Sequence, residues 1–259
     1  MPVYDSGVIE RPFTQLPATT VTVQVDPDAS VAPVRSRLSQ LFGTEQVTVT
    51  EGDADQAAEV VASRDGRVVA TSSVDALLQS LLLINSDVYI TGSRPVTEAT
   101  LPDVLAALSD IPFQLRGYPD SDSEKLLLIA VSRRIERRAI EAGAGTFRVG
   151  FQQLSRLVDE PGTTEVYEQL AATDVDVHAY GVGDVAVPDE LGVTAHTGDS
   201  ALHRRGWFVI FEPATATVEP MALYALARGA NHWEGFWTYT PERIAAISDV
   251  VTQTAVTRS

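Results

Sequence analysis

Strand-like and helix-like segments alternate along most of this chain, and that alternation constrains its fold more than any other feature. "TTVTVQVD" alternates branched apolar and polar residues and predicts a strand, and "APVRSRLSQLFG" predicts an amphipathic helix ending at Gly43. Asp65-Gly66 joins two further strand-like runs with the commonest short hairpin signal. The alternation predicts an α/β fold, a layered fold with a mixed β-sheet covered by helices.

The domain organisation is predicted to be simple. We expect an irregular N-terminal arm at residues 1–18, which contains scattered prolines, and a single domain over residues 19–255. The turn-rich segment "PDSDSEK" divides that domain into halves of about 19–118 and 119–255, but neither half has enough strands to close a core alone. The second half opens on the strongest helix pattern of the sequence, about 122–142.

Composition excludes several kinds of site and partner. The chain has no cysteine, which removes disulfides, thiolate nucleophiles and zinc–cysteine or iron–sulfur sites. Its formal net charge is −16, and Lys125 is its one lysine. Such a surface is typical of proteins that function in molar salt, where charge repulsion is screened, so we expect a halophilic source. The same charge argues against non-specific binding of nucleic acid.

No segment is predicted to cross or target a membrane. The longest apolar run, "ALLQSLLLI" at residues 76–84, is far shorter than the roughly 20 residues that a membrane span needs. Nothing resembles a signal peptide either. With 44% hydrophobic residues the composition is that of a globular protein, and we expect it to be cytoplasmic.

Patterns that would indicate catalysis, a metal or a cofactor are missing from the sequence. There is no G-x-S-x-G nucleophile motif, and neither "GAG" nor "GVG" has the strand before it and the helix after it that a dinucleotide fingerprint requires. His178, His196, His203 and His232 show no metal-ligand spacing, and His196 falls in a predicted polar loop. We therefore expect no catalytic residue, no metal and no cofactor.

The aromatic residues near the end of the chain allow two interpretations. In "HWEGFWTY", strand alternation places Trp233, Gly235 and Trp237 on one face of a strand. These side chains either pack in the core or line an apolar ligand pocket, in which Gly235 would leave a slot between the two indoles.

Six arginines lie in the segment "SRRIERRAIEAGAGTFRVGFQQLSRL", a high density for so acidic a chain. Helix electrostatics explains most of this cluster, because basic residues near a helix C-terminus and acidic partners one turn away both stabilise a helix. We therefore expect Arg133, Arg134 and Arg137 to lie on a solvated face. Glu136, Arg138 and Gln152 are expected to be oriented for more than solubility. We expect Glu136 and Arg138 to belong to a buried polar network, so that Arg138→Gln costs about 3–5 kcal/mol rather than the roughly 0.5 kcal/mol of a surface site.

Four segments taken in order resemble a known family. They are "AVSRRIERRAIEAGAGTFRVGFQQLSRL", "YEQLAATDVDVHAYG", "WFVIFEP" and "HWEGFWTYTPERI". Together they resemble the DICT domain, a sensory domain found with diguanylate cyclases and two-component proteins. The first part of the chain, about 19–115, is similar to this family in layout only.

The resemblance implies a non-enzymatic sensory domain for signal transduction. Its expected partners are signalling proteins of the histidine-kinase or light-sensor type, or an unidentified small molecule, and a homodimer is compatible with this role. The resemblance and the aromatic cluster together give eight candidate residues for binding the ligand or partner: Glu136, Arg138, Phe151, Gln152, Tyr180, Trp207, Trp233 and Trp237.

Two alternative functions stay open at the level of sequence. The first is a transcription regulator that contacts DNA through the arginine-rich helix, although high salt would weaken such contacts. The second is an enzyme that uses His178 or His203 as a base.

Overall fold

The computed structural model describes most of the chain, namely residues 4–18, 20–25, 32–43, 45–51, 59–78, 101–116, 125–230 and 232–256. Three predicted features lie partly or wholly outside these residues. They are the start of the long helix at residue 122, the turn segment that divides the two halves, and the continuation of the helix that begins after Ser73.

Four strands of the first half form one sheet: β1 (Val21–Val25), β2 (Val47–Glu51), β3 (Glu59–Arg64) and β4 (Arg67–Ser73). They lie in the order β2-β1-β3-β4, with β1 parallel to β2 and antiparallel to β3. The β3–β4 hairpin turns at Asp65 and Gly66, whose φ angles are 52° and 73°. Two successive positive φ angles are what the tightest hairpin turn requires, and the predicted hairpin is confirmed.

Seven strands form a second sheet: β5 (Phe113–Arg116), β6 (Ala144–Gln153), β7 (Asp174–Val182), β8 (Val193–Thr197), β9 (Gly206–Pro213), β10 (Met221–Gly229) and β11 (His232–Thr238). Their order is β5-β11-β10-β9-β6-β7-β8. β6, β7 and β8 are parallel to one another, and the other neighbours pair antiparallel. Both sheets are mixed, as the sequence predicts.

The described residues include nine α-helices: α1 (Tyr4–Thr14), α2 (Ala32–Leu41), α3 (Val74–Leu78), α4 (Asp103–Ala106), α5 (Lys125–Ala142), α6 (Arg156–Asp159), α7 (Pro161–Ala171), α8 (Ala201–Arg205) and α9 (Pro241–Val256); a 3₁₀ turn spans Asp189–Leu191. One face of the larger sheet packs against α5 and α7, in a hydrophobic cluster that also includes the smaller sheet and α2. The other face packs against α9 and α1. Helices therefore cover both faces of the larger sheet, which confirms the predicted α/β class.

The prediction of an irregular arm over residues 1–18 is wrong for residues 4–14, which form α1. Ile9 is completely buried against α9, and its carbonyl accepts a hydrogen bond from Tyr224 Oη at 2.9 Å. Pro12 lies in the last turn, and tertiary packing outweighs its unfavourable helix propensity. The extent of the single domain stays a prediction.

The polar loop predicted through His196 is also wrong, because residues 193–197 form the edge strand β8. This strand pairs in parallel with residues 177–181 of β7. Most of its side chains are exposed or half-buried, as is usual for a polar edge strand, so it carries no hydrophobic alternation that a sequence pattern could reveal.

Candidate functional site

A pocket of about 180 Å³ lies between α5 and the larger sheet. Its apolar wall consists of Ile129, Val149, Phe151, Trp207 and Val209. Its polar lining contains two arginines, two glutamates and smaller polar groups, contributed by α5, by the end of β6 and by the short helices α6 and α7. An apolar cavity with a few polar groups is the usual composition of a small-molecule site.

Helix α5 positions the pocket residues through its periodicity. Val131, Ile135 and Ala139 are four residues apart and form an apolar stripe, which is buried against the sheet and fully inaccessible. Residues at positions 129, 132, 133 and 136 share the neighbouring row, because residues three and four apart lie on one face of a helix. That row faces the pocket.

Arg133 and Glu136 form a buried ion pair in the pocket wall. Arg133 Nη1 donates to Glu136 Oε2 at 2.7 Å, and Nη2 donates to Thr163 Oγ1 at 3.3 Å. Burial alone would lower the pKa of Arg133, but the adjacent Glu136 carboxylate outweighs burial and raises it. Arg133 therefore keeps its charge, and the pair places opposite charges side by side in the pocket wall.

The expected roles of two arginines on α5 are reversed. The solvated position predicted for Arg133 is wrong, because α7 covers it and supplies Thr163 as a partner. The buried position predicted for Arg138 is also wrong. Arg138 Nη1 lies 3.0 Å from the carboxylate of Glu219, and the side chains of the two residues are 21% and 59% exposed. The burial of Glu136 is as predicted.

Trp207 connects β9 to α5 beside the pocket. Its Nε1 donates to Ser132 Oγ at 3.2 Å. Its ring packs edge-to-face against Trp233, with ring centroids 5.7 Å apart. A contact between Trp207 and a bound molecule would therefore reach both the helix and the sheet.

Four of the eight predicted binding residues converge on the pocket. They are Glu136, Phe151, Gln152 and Trp207. Phe151 packs on the ring of Tyr167, and Gln152 Nε2 donates to the carbonyl of Arg204 at 2.9 Å. These contacts hold both side chains in place.

The other four predicted residues lie elsewhere. Arg138 is half-buried outside the pocket lining. Tyr180 lies on the opposite face of the sheet, where its ring stacks on that of His196 with the ring centroids 4.4 Å apart. Trp233 is behind Trp207, and Trp237 is fully buried. A part for these four residues in binding a partner stays a prediction.

The slot that the pocket interpretation places beside Gly235 is absent, so that interpretation is wrong. A Cβ at Gly235 would lie 2.7 Å from the ring of Phe113 and 2.7 Å from Cβ of Ala225, so these groups already fill the space. Strand alternation itself is confirmed, since Trp233 and Trp237 face one core and Phe236 faces the other. This stretch packs as core.

Sequence reasoning missed several pocket residues. Ser132 and Arg133 could have been found from the helical row that they share with Glu136. Arg156, Glu160 and Thr163 had no signal, because they reach the pocket through the fold of α6 and α7. The sequence analysis also missed Tyr167, which interacts electrostatically with Arg133 and Glu136. Burial raises the pKa of the Tyr167 hydroxyl well above its usual value.

The histidines lie away from this pocket. His178 Nδ1 is 3.1 Å from His196 Nε2, and His178 Nε2 is 3.0 Å from the Asp176 carboxylate. Burial, and then the nearby His178, lower the pKa of His196.

Within the described ranges, no group of three or more His, Asp or Glu side chains is arranged to hold a metal ion. None of the described helices has the length and apolarity of a membrane span.

The chain segment that builds the pocket, from α5 to β9, is also the segment with known relatives. Residues 103–223 match the DICT family. This family is described as a sensory domain in diguanylate cyclases and two-component systems. The DICT match covers just under half of the chain, includes all residues that line the pocket, and confirms the resemblance predicted from sequence. The closing run "HWEGFWT" lies beyond the matched residues.

Comparison with other proteins adds little to the DICT match. No curated protein matches the chain. Among solved structures, the chain is similar to the polyphosphate kinase from Porphyromonas gingivalis, at 10% sequence identity and a TM-score of 0.37. That alignment covers 90% of this chain and 34% of the kinase chain. A similarity at this level carries no argument about function.

Proposed function

We propose that this protein is a sensory domain that binds a small ligand in the pocket between α5 and β9 and does not catalyse a reaction. The observation that carries the proposal is the buried Arg133–Glu136 pair in the wall of a pocket with one apolar and one polar side, inside the DICT segment. A buried ion pair contributes little net stability, so its presence beside a pocket is better explained by the shape and polarity that it gives to a binding site than by folding.

The size of the pocket supports a small ligand. A cavity of about 150 Å³ in another protein accommodates one benzene molecule. The present pocket, at about 180 Å³, has room for one ring or a branched aliphatic group together with a few polar atoms.

Trp207 and Ser132 provide the proposed route from ligand to output. Their hydrogen bond joins the sheet to α5, so a ligand that prefers one arrangement of this contact shifts the position of the helix. The output in this proposal is a contact with a signalling protein in the cytoplasm.

The two alternative functions have less support. The DNA-binding alternative needs Arg133, Arg134 and Arg137 to reach DNA, but Arg133 is buried, Arg134 donates to the carbonyl of Leu101, and Arg137 is half-buried. In the enzyme alternative, neither His178 nor His203 lines the pocket, and Nδ1 of His203 is 2.7 Å from Ser200 Oγ in a buried contact.

The proposal is tested by thermal-shift measurements with a panel of amino acids, nucleosides, sugars and small monocarboxylates. We expect at least one compound to raise the melting temperature, and Ser132→Leu, which puts extra methyl groups into the pocket, to abolish that increase. Arg138→Gln, on the same helix but outside the pocket, is the control and should keep it. An increase that survives Ser132→Leu, or a panel without any stabilising compound, would contradict ligand binding in this pocket.

A further inference from the structure

We infer that the ligand is a small zwitterion with an apolar body, of the class of apolar α-amino acids. This inference rests on the proposed ligand-binding function and specifies the chemistry of the molecule that the same pocket takes. Three observations carry it: the balance of charges in the lining, the pairing of those charges, and the apolar wall.

The charges in the pocket lining balance. Two arginines, Arg133 and Arg156, and two glutamates, Glu136 and Glu160, line the pocket. A net charge removed from water without a partner is costly, so a ligand that carries one would leave the site unbalanced. An anion would in addition meet a chain of net charge −16. A zwitterion leaves the balance intact.

The inner pair of charges is already satisfied. Arg133 donates to Glu136 and to Thr163, and these contacts hold it in the wall. The inner pair therefore fixes the shape of the pocket and is less available to a ligand.

The outer pair of charges is different. Among the described residues Arg156 has no ion-pair partner, and the Glu160 carboxylate accepts a hydrogen bond from Thr163 Oγ1 at 3.1 Å but forms no ion pair. Two opposite charges thus line one pocket without being paired to each other. A carboxylate suits Arg156 through charge-assisted hydrogen bonds, and an ammonium group suits Glu160 in the same way.

The apolar wall defines the rest of the ligand. Ile129, Val149, Phe151 and Trp207 offer aliphatic and aromatic surface in a volume of about 180 Å³. A branched aliphatic or single-ring side chain fills such a space, and an indole edge or face packs well on either. The two charged groups of an α-amino acid are attached to one carbon, which leaves its side chain free to enter the apolar part.

The test compares matched probes by isothermal titration calorimetry. L-phenylalanine and L-leucine have both charges, 3-phenylpropionate lacks the ammonium group, and 2-phenylethylamine lacks the carboxylate. For L-leucine the matching single-charge analogues are isovalerate and isoamylamine. We expect at least one of the two amino acids to bind. The single-charge analogues of that amino acid should bind at least tenfold more weakly than the amino acid itself.

Two variants test whether Arg156 and Glu160 bind the charged groups of the amino acid. Arg156→Gln should weaken binding of the amino acid at least tenfold, and Glu160→Gln should do the same, whereas Arg138→Gln should leave it unchanged. Because both pocket residues are only half-buried, unchanged melting temperatures of the unliganded variants check that the fold is intact.

The outcomes separate the two proposals. An analogue with a single charge that binds as tightly as its parent amino acid overturns the zwitterion inference. So does stabilisation by a sugar, nucleoside or monocarboxylate alone, but if Ser132→Leu removes that stabilisation the proposed sensory function stands. No stabilisation by any compound overturns both.

Discussion

Arg133 donates a hydrogen bond to Glu136 across 2.7 Å while less than one-tenth of either side chain is exposed. The two residues are one helical turn apart on α5, and α7 closes over them through Thr163. Both side chains are almost completely removed from solvent, so each depends on the other to compensate its charge.

Replacement of one member of this pair should be strongly destabilising. We expect Glu136→Gln or Arg133→Gln to lower the free energy of unfolding by about 3–5 kcal/mol, because a buried charge is left uncompensated. Arg138→Gln should cost less, about 1 kcal/mol, because its pair with Glu219 is partly exposed to solvent. Urea unfolding with comparison of midpoints and slopes measures these differences. Similar midpoints for all three variants would show that the pair is hydrated in solution.

Trp237 and Trp207 should respond differently to mutation. Trp237 is fully buried and packs against Phe42 and Phe113, so Trp237→Ala should cost roughly 3–5 kcal/mol. Trp207→Phe keeps an aromatic ring and loses the hydrogen bond to Ser132, which is worth about 1 kcal/mol. Chemical denaturation tests both values, and a larger loss for Trp207→Phe than for Trp237→Ala would refute this assignment.

Gly235 and Gly229 form a matched pair for testing the filled space in β11. Gly235→Ala should destabilise by about 1–3 kcal/mol, since its methyl group would overlap the ring of Phe113 and Ala225. Gly229→Ala, where a Cβ meets nothing within 4 Å, should change stability by less than about 0.5 kcal/mol. Melting temperatures of the two variants are sufficient, and equal values would mean that a cavity lies beside Gly235 after all.

The buried Tyr167 hydroxyl predicts a loss of stability at alkaline pH. Burial raises the pKa of Tyr167 in the folded state, whereas the unfolded side chain has its usual pKa of about 10. Above about pH 10 the unfolded chain therefore releases a proton that the folded chain keeps. This difference in bound protons lowers the free energy of unfolding as the pH rises further. Urea unfolding between pH 8 and roughly pH 11 should show a shallower decline for Tyr167→Phe. Parallel declines would indicate that the hydroxyl titrates normally.

The acidic composition predicts a strong dependence on salt. With a net charge of −16 and one lysine, self-repulsion should fall as added salt shortens the Debye length, which is about 10 Å at 0.1 M. We expect the melting temperature to rise steeply between about 0.1 M and molar KCl. Identical melting temperatures over this range would remove the basis for expecting a halophilic source.

Local periodicity explains which features the sequence could predict. The hairpin at Asp65-Gly66, the apolar stripe of α5 and the alternation of Trp233 and Trp237 all depend on neighbours within a few residues. The burial of Glu136 was predicted as well. The helical row shared with Glu136 indicates Arg133 as a possible partner, but the sequence could not reveal that Arg133 is buried, because its other contact, Thr163, lies thirty residues further along the chain.

Tertiary packing explains the remaining differences. The helix α1 contains Pro12 and is stabilised by contacts with residues more than two hundred positions away, such as Tyr224. The slot beside Gly235 is filled by Phe113 from β5, a neighbour that the spacing of aromatic residues within β11 cannot indicate.

The position of β6 between β7 and β9 determines when the pocket is completed during folding. β7 follows β6 closely through α6 and α7, but β9 begins about fifty residues after β6 ends. Pairings between distant segments form slowly, because a long loop must close first. Trp207 lies on β9, so a newly synthesised chain has no complete pocket until that strand has paired with β6. A ligand would therefore bind only chains in which this pairing is complete, and at concentrations above its Kd it would stabilise the whole folded sheet.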